Sequence, residues 1–237
     1  MSEREPFGSH LGRGAVPAAY LGGLSMPLSI PLPRSFYERD PRAVARELLG
    51  KVLLRRVGRK TIAGRIVETE AYLGRGDPAA HAFSGITKRN AVLYGPAGHA
   101  YVYFTYGMHH CMNISCEPSG HAGCVLLRAL EPISGLEEMA KSRNLAWEGK
   151  ETSPARMRLL ASGPGRLCQA LQIERQRDNG KDLTARNSDL QVVEALAEAS
   201  SEVKYKVVTA TRVGISKAAD LKLRYLLAGN PFVSVKP

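Results

Sequence analysis

The chain has 237 residues, enough for one large domain with its own hydrophobic core. Its 33 Lys and Arg outnumber 22 Asp and Glu, for a formal net charge of +11. This excess favours polyanionic partners, nucleic acid first and an anionic membrane surface second, with solubility by charge as the plain alternative. No apolar run approaches the roughly 20 residues that span a bilayer. Residues 1–33 also lack the charged start, apolar centre and cleavage site of a secretory signal.

The cysteines predict a reducing compartment. Cys111, Cys116, Cys124 and Cys168 form no CxxC pair, and a chain of this size needs no disulfide staples. The segment 109–124 is dense in residue types that bind zinc. Neighbours along a strand point to opposite faces, however, and paired zinc-ligand spacing is missing. We therefore expect no metal site, with zinc as the weaker alternative.

The chain begins with a segment of low complexity and continues as one domain. Residues 1–33 are rich in Gly, Pro and Ser without periodicity, so they are predicted to be a flexible tail before a folded domain at 34–237. Asp40 followed by Pro41 predicts the start of a helix that ends at Gly50. Alternating runs predict the first strands: Lys51–Val57, Thr61–Tyr72, Tyr101–Thr105, Met108–Cys116 and Cys124–Ala129.

The later part of the chain predicts more helices than strands. Ser134 and Glu137 have the spacing of a capping box before a helix. Pro154 and Pro164 each predict the start of a further short helix. The run 190–199 fits a helix or a strand equally well. The remaining predicted strands are Val207–Val213 and Phe232–Val235.

Positive charge is concentrated early in the domain. Between Arg34 and Arg65 there are ten Lys and Arg but three acids. This pattern favours a rim that faces phosphates over a merely solvated surface.

Carboxylates at the end of one predicted strand are the first candidates for chemistry. Glu70 and Tyr72 are two residues apart on a strand and so point the same way, and Glu68 shares their parity. Carboxylates directed inwards are costly unless they are paired or used. Arg128 is the natural partner, on a strand otherwise made of Val, Leu and Ala. The alternative to a catalytic role is a structural ion pair.

A hairpin rich in tyrosine is the second candidate. Tyr101 and Tyr103 share one face of its first strand, and stacked aromatic rings of this kind hold a planar base, a cationic one best. Gly107 supplies the positive φ of the tight turn. Tyr106 and Met108 at the tip form an exposed wedge, of the type that enters a minor groove and replaces an extruded base. Strand core and a tip packed on its own fold are the alternatives.

Taken together, these motifs resemble the alkyladenine (3-methyladenine) DNA glycosylase family, also called methylpurine-DNA glycosylases. The resemblance covers roughly residues 35–235, and it depends on the ordered combination of motifs rather than on any one. The matching motifs are Arg65-Ile-Val-Glu-Thr-Glu-Ala-Tyr72, the His81 loop, Thr87-x-Arg-Asn90, Tyr101-Val-Tyr-x-x-Tyr-Gly-Met108, Cys111-x-Asn113, Cys124-Val-Leu-Leu-Arg-Ala-Leu-Glu-Pro132, Ser162-Gly-Pro164, Leu167-Cys-Gln-Ala-Leu171 and Asn230-Pro-Phe-Val-Ser-Val235.

The resemblance implies an α+β fold, a single compact mixed domain around a curved antiparallel β-sheet with a protruding β-hairpin and peripheral helices. It implies a monofunctional glycosylase that uses water to excise damaged purines from duplex DNA, as a monomer and without a cofactor. Glu70 would be the general base, and Arg128 would help to hold the water. The residues implied to bind the flipped base are Tyr72, His81, Tyr101, Tyr103, Asn113 and Leu126, with Asn113 excluding guanine. Those implied to contact DNA are Tyr106, Met108, His109, Thr87, Arg89 and Arg166, with Tyr106 intercalating.

Elementary chemistry agrees with these implied roles. Glycosidic cleavage passes through an oxocarbenium-like sugar, which a nearby carboxylate stabilises while it activates water. Alkylated purines such as 3-methyladenine and 7-methylguanine are already cationic and leave readily, whereas hypoxanthine must gain a proton. The residues do not rank these lesions. The expected location is the bacterial cytoplasm with its nucleoid, or the nucleus of a eukaryotic cell.

Three departures from the family pattern bear on lesion choice and groove contact. Lys88 stands where a proline is common, His109 and His110 where aromatics are common, and the loop 74–98 differs in length from some relatives. A non-catalytic protein that recognises damaged DNA is the alternative function, although the presence of both Glu70 and Arg128 argues against it. A zinc nucleobase deaminase fails, because its His-x-Glu and Pro-Cys-x-x-Cys motifs are absent.

Overall fold

The structure is a computed structural model that describes residues 30–105, 107–149, 153–194 and 205–237. The strands in these ranges are β1 Val52–Val57, β2 Lys60–Tyr72, β3 Ala100–Thr105, β4 His109–Ser115, β5 Cys124–Ser134, β6 Leu190–Val193, β7 Val207–Ala210 and β8 Arg224–Leu227. The helices are α1 Arg34–Tyr37, α2 Pro41–Leu48, α3 Leu136–Ser142, α4 Pro154–Ala161, α5 Pro164–Ala170 and α6 Arg175–Asp178, with short 3₁₀ turns at Gly74–Gly76 and Ala91–Tyr94.

One antiparallel sheet organises the domain, with the strand order β3-β4-β5-β2-β1-β6. The long strand β2 pairs with β5 along one edge. Along its other edge it pairs first with β1 and then, at Glu68–Glu70, with β8, which also pairs with β7. Register shifts between β2 and β5 near Glu68 add bends to the ladder. The sheet therefore curls into a half-barrel, and the predicted fold class is confirmed.

Helices cover the apolar face of this curled sheet. Helix α2 begins as its sequence predicts, because the Asp40 carboxylate accepts a hydrogen bond of 2.7 Å from the Arg42 N–H and Pro41 takes the first helical position. It buries Val44 and Leu48 completely. Helices α4 and α5 pack on β5, and α5 also packs on β4. The functional side chains project from β2, β3, β4 and β5.

Two local expectations were wrong in the second half of the chain. Ser134 ends β5 and its hydroxyl donates to the Thr61 carbonyl, while Gly135, at φ 70° in the left-handed region, is the N-cap of α3. The predicted capping box is therefore absent. The segment 232–235 is not a strand, although Phe232 and Val233 are buried. Beside Glu68–Glu70 of β2 lies β8, a strand that the sequence pattern did not reveal.

Other boundaries are shorter than expected. The strand predicted to reach residue 213 ends at Ala210, where it forms β7. The ambiguous run 190–199 begins as β6, and its remainder from residue 195 lies outside the described residues. Residues 1–29 of the predicted tail also lie outside them. Pro31 and Leu32 already pair with β6, the Leu32 N–H donating to the Val192 carbonyl at 2.9 Å.

The basic segment between Arg34 and Arg65 is largely neutralised by carboxylates. Most of its Lys and Arg form ion pairs, among them Arg34 with Asp182 at 2.7 Å and Arg39 with Glu47 at 2.9 Å. Arg55 is fully buried and pairs with Asp178. These pairs favour a structural role for the segment over the phosphate-facing rim that the charge count suggests.

Among the residues that the structure describes, no helix has the length and apolar character needed to cross a bilayer. Within the same ranges, no three His, Cys, Asp or Glu side chains come together as a metal site would require.

A close approach between β2 and β5 gives a test of the fold. A Cβ added at Gly64 would lie 2.9 Å from the Leu130 Cβ and 3.2 Å from the Glu131 carbonyl oxygen. Gly64→Ala should therefore lower the free energy of unfolding by about 1–3 kcal/mol, measured by urea denaturation. Gly76→Ala is the control, because a Cβ there meets no atom within 4 Å. Equal stability of the two variants would contradict this close packing.

Candidate active site

The end of β2 places a carboxylate at the centre of a polar cluster. Glu70 is fully buried, and its Oε1 accepts a hydrogen bond of 2.8 Å from the Val213 N–H. The Tyr72 hydroxyl donates to Glu70 Oε2 at 2.9 Å, as the two-residue spacing on a strand permits. Arg128, on the neighbouring strand β5, places its Nη1 3.1 Å from Glu70 Oε1. The predicted Glu–Arg partnership is therefore present.

A second carboxylate shares the same arginine. Glu68 Oε1 accepts hydrogen bonds of 3.0 Å from Arg128 Nε and 3.0 Å from Arg224 Nη1. Its Oε2 accepts a hydrogen bond from the Ser234 N–H. The four charged side chains are all at least 95% buried, with exposures of 0% for Glu68 and Glu70, 5% for Arg128 and 3% for Arg224. They form a neutral array, as buried ions require.

Aromatic side chains of the loop after β2 and of β3 form one wall beside this cluster. The His81 ring meets the Tyr103 ring edge to face, with 4.5 Å between centroids. Its Nδ1 lies 2.9 Å from the Tyr101 hydroxyl. The Arg89 guanidinium lies 5.6 Å from the centroid of the Tyr103 ring. Tyr101 and Tyr103 share a face of β3, as predicted, and their ring centroids are 5.5 Å apart.

These groups enclose a cavity of about 360 Å³, within the range of small-molecule sites. The structure brings together every residue predicted to bind the base, and Arg128 as well. Glu70 itself lies immediately behind the wall formed by Tyr72, Arg128 and Val213. The main lining side chains are Tyr72, His81, Arg89, Tyr101, Tyr103, Cys111, Asn113, Cys124, Leu126 and Arg128.

Burial sets the protonation behaviour of the site. Loss of hydration raises the pKa of the Glu70 carboxyl above its usual 4.5, although Arg128, the Val213 N–H and the Tyr72 hydroxyl each act to lower it. Partial loss of hydration also lowers the pKa of His81, although the residue is exposed on one side, and the positive charge of Arg89 adds to this effect. Burial raises the pKa of Tyr101 to about 12. The cavity therefore presents neutral aromatic groups in front of a strengthened base.

Asn113 contributes an amide to the cavity. The residue is 3% exposed, and its Oδ1 accepts a weak hydrogen bond from Cys124 Sγ at 3.7 Å. Its buried Nδ2 has no hydrogen-bond partner among the described residues. A buried amide donor without a partner is costly. Because Asn113 lines the cavity, a ligand with an acceptor at this point would satisfy it.

The residues predicted to contact DNA lie on the surface. Met108 is 71% exposed at the hairpin tip, beside Gly107 with its left-handed φ of 65°. His109 packs against the backbone of Gly165, where an added Cβ would lie 3.0 Å from the imidazole. The other exposed members of this set are Thr87, Arg89 and Arg166. Tyr106, the predicted intercalating residue, lies outside the described residues.

Three contributions were missed by sequence reasoning. Arg212 is stacked 4.7 Å from the centroid of the Tyr72 ring and pairs with Asp77, and both charged side chains are fully buried. The Val213 N–H binds Glu70, and Arg224 binds Glu68. One indication of these contributions is present in the sequence, the charged Arg212 near the end of the predicted strand Val207–Val213. Its partner is 135 positions away, so periodicity could not identify it.

A pocket lined by aromatic rings, with a buried carboxylate behind it, suits a planar ligand. A family model described as methylpurine-DNA glycosylase (MPG) matches residues 35–231. The chain belongs to this family. It is therefore a DNA glycosylase of the 3-methyladenine type, a hydrolase that cleaves N-glycosidic bonds in base excision repair.

Three relatives align with this chain over nearly their whole length. Each carries a name that assigns it provisionally as a 3-methyladenine DNA glycosylase. The protein of Koribacter versatilis is 58% identical over 206 residues, 87% of this chain and 94% of its own. That of Methanoculleus marisnigri is 50% identical, over 86% and 98% of the two chains. That of Carboxydothermus hydrogenoformans is 43% identical, over 86% and 99%. The predicted family is confirmed.

The hydrogen bond from Tyr72 to Glu70 gives a prediction about pH. The Tyr72 hydroxyl stabilises the charged carboxylate, so Tyr72→Phe should raise the pKa of Glu70 further. If deprotonated Glu70 is required, the acid limb of the rate of base release should move to higher pH by about one unit. Single-turnover rates between pH 4 and 8 would measure it. Tyr103→Phe removes a pocket hydroxyl that does not contact Glu70, so its acid limb should stay in place.

Proposed function

We propose that this glycosylase flips alkylated or deaminated purines out of duplex DNA into the cavity at β3 and hydrolyses their glycosidic bond. The product would be free base and an abasic site. The observation that carries the proposal is the buried Glu70 carboxylate, held by Arg128 directly behind an aromatic-lined cavity. The cavity is complete within one chain, which supports action as a monomer. The buried free cysteines support action in a reducing compartment, and the substrate proposed here would require that compartment to contain DNA.

The base would be held by rings and by one amide. Tyr72, His81 and Tyr103 present aromatic surfaces to the cavity, and such surfaces stack on any purine and attract a cationic one. A 3-methyladenine or 7-methylguanine leaves readily because it carries positive charge. A neutral hypoxanthine would take up a proton as it leaves. Unstacking costs a few kcal/mol, and least for damaged or mispaired bases, so selection begins before the pocket.

Glu70 would act as the general base. Its Oε1 already accepts from the Val213 N–H and pairs with Arg128, whereas Oε2 accepts only from Tyr72 among the described groups. An attacking water would therefore donate to Oε2. The water oxygen forms the new bond to C1′, the C1′–N bond breaks with its electron pair leaving on the purine, and Glu70 takes the water proton. The carboxylate also stabilises the oxocarbenium character of the sugar.

Asn113 would select against guanine. Its Nδ2 is a buried donor at the cavity wall. A purine without a 2-amino group can offer this donor an acceptor or leave free space beside it, whereas the 2-amino group of guanine would place a second donor against it. Two opposed donors in a buried site lose the hydrogen bond and crowd each other. The 7-methylguanine base carries the same group, and its release would depend on the readiness with which the cationic base leaves.

A further set of residues would hold the duplex. We propose that Tyr106 and Met108 form the wedge that fills the stack, with His109 beside them at the groove. Thr87, Arg89 and Arg166 would contact the backbone. Phosphate contacts of this kind make affinity fall steeply with salt.

Replacement of the base tests the function directly. Glu70→Gln keeps the size of the side chain but cannot accept a proton, so single-turnover release of hypoxanthine and 7-methylguanine should fall at least about 10²-fold. Binding to a lesion duplex should change little. Glu47→Gln, which removes a carboxylate from an exposed ion pair, is the control. Undiminished release by Glu70→Gln would exclude Glu70 as the base, and binding without release by the wild type would indicate a damage sensor.

Selectivity gives a separate test. Asn113→Ser shortens the side chain and removes the opposed donor, so release of unmodified guanine from a mismatched duplex should rise relative to hypoxanthine. The ratio of the two single-turnover rates is the measurement. A ratio equal to that of the wild type would contradict the role of Asn113 in exclusion.

A further inference from the structure

Glu68 is a fully buried carboxylate that the proposed reaction does not use. Three donors from three segments converge on it: Arg128 Nε and Arg224 Nη1, each at 3.0 Å, and the Ser234 N–H at 2.5 Å. A carboxylate with this many charged and backbone partners is held rigidly. It lies on β2, two residues before Glu70, and contacts Arg128 through Nε, whereas Glu70 contacts the same guanidinium through Nη1.

Each nitrogen of the Arg128 guanidinium has a different partner. Nε donates to Glu68, Nη1 pairs with Glu70, and Nη2 donates to the Ser234 hydroxyl at 3.3 Å. A guanidinium beside a carboxylate frequently forms two parallel hydrogen bonds to it. Either two-point arrangement uses Nη2, together with Nη1 or with Nε. Here Ser234 accepts from Nη2 and Glu68 accepts from Nε, so neither arrangement on Glu70 forms. Arg128 therefore reaches Glu70 through one nitrogen only.

We propose that Glu68 is a positioning residue for the glycosylase reaction, which together with Ser234 holds Arg128 away from a two-point contact with Glu70. Oε2 of the buried Glu70 then has Tyr72 as its hydrogen-bond partner among the described groups and can accept the proton of the attacking water. The inference rests on the proposed function, in which Glu70 is the base. It adds that the C-terminal segment takes part, because Ser234 binds both Glu68 and Arg128.

Arg224, the second arginine that binds Glu68, is itself held by several hydrogen bonds. Arg224 Nε donates to the Thr211 carbonyl at 2.7 Å, and its Nη1 donates to the Val235 carbonyl at 2.9 Å as well as to Glu68. Arg224 therefore fixes Glu68 against β7, β8 and the C-terminal segment. Because Glu68 is fixed in this way, its hydrogen bond with Arg128 Nε also fixes the Arg128 guanidinium.

The charge of Glu68 also favours Glu70 as a base. The negative charge of Glu68 raises the pKa of Glu70, in addition to the larger effect of burial. Loss of that charge would lower the pKa of Glu70 and weaken it as a base. The other titratable or charged groups that face Glu70 are Arg128 on β5, Tyr72 on β2, Cys111 on β4 and Arg212 after β7.

The first experiment replaces the Glu68 carboxylate by an amide. In Glu68→Gln the side chain has one acceptor oxygen for three converging donors, so Arg128 would be released toward Glu70. This variant should move the acid limb of single-turnover hypoxanthine release to lower pH by about one unit. It should also lower the plateau rate roughly tenfold, part of what a positioned general base contributes. Glu131→Gln, at a carboxylate that pairs with Arg65 across the same two strands, is the control.

A double variant separates positioning from charge balance. Glu68→Gln leaves Arg224 without its carboxylate, whereas Glu68→Gln with Arg224→Gln restores the balance of buried charge. Because its buried charges balance, the double variant should be closer to the wild type in thermal stability than Glu68→Gln is. If Glu68 positions Arg128, the double variant should nevertheless keep the displaced acid limb. Recovery of both the wild-type rate and the wild-type acid limb would overturn the proposal in favour of charge balance alone.

Ser234→Ala provides a milder test that does not depend on the stability of the buried array. The side chain is half-buried, and its removal takes one acceptor from Arg128 while the Ser234 N–H remains on Glu68. A smaller shift of the acid limb in the same direction is expected. An unmoved acid limb in Ser234→Ala, or in Glu68→Gln, would overturn the proposal.

Failure of this inference differs from failure of the proposed function. In the first case Glu70→Gln still abolishes release while the Glu68 and Ser234 variants match the control. In the second case Glu70→Gln itself releases base.

Discussion

The structure depends on one buried ionic array, in which Arg128 lies between two carboxylates of the same strand. Removing two carboxylates from water is costly, and a single arginine cannot balance them. Arg224 supplies the second positive charge from β8, and the Ser234 N–H supplies a further donor. The sheet must therefore curl until β5, β8 and the C-terminal segment all meet β2. The need to pair these buried charges thus constrains both the curvature of the sheet and the arrangement of the site.

The same array explains why a residue paired with arginine can be a base. An ion pair alone would lower the pKa of Glu70, but full burial outweighs it. A second cation, Arg212, is stacked on the Tyr72 ring without contacting the carboxylate, because Asp77 holds it. The site therefore contains several arginines, yet Glu70 keeps a raised pKa. Hydrogen bonds from Tyr72 and Val213 orient the carboxylate without removing its basicity.

Much of the site could be predicted from the sequence because its parts are local. The two-residue spacing from Glu70 to Tyr72 and from Tyr101 to Tyr103 fixes which side chains share a face of a strand. The ordered motifs then identified the family, and with it the partnership of Glu70 and Arg128. These predictions required no knowledge of how distant segments meet.

The remainder depends on contacts that no local pattern encodes. The pair of Arg212 and Asp77 joins positions 135 apart, and Ser234 reaches Glu68 across 166 positions. Segment 232–235 has the composition of a strand, but it is a loop whose backbone serves Glu68 instead. Ser134 matched a capping box by spacing, yet β5 continues through it and Gly135 takes the cap. Charge counting likewise overestimated the free positive surface, since acids from distant parts of the chain neutralise it.

The most direct test of this account is the titration of the Glu70 carboxyl itself. Carbon-13 NMR of the side-chain carboxyls, with the Glu70 signal assigned by its absence from Glu70→Gln, would follow it from pH 3 to pH 8. The account predicts a pKa above the usual 4.5 that coincides with the acid limb of base release. A Glu70 carboxyl that titrates at or below that value would show that Arg128 outweighs burial. It would contradict the assignment of Glu70 as a base strengthened by its site.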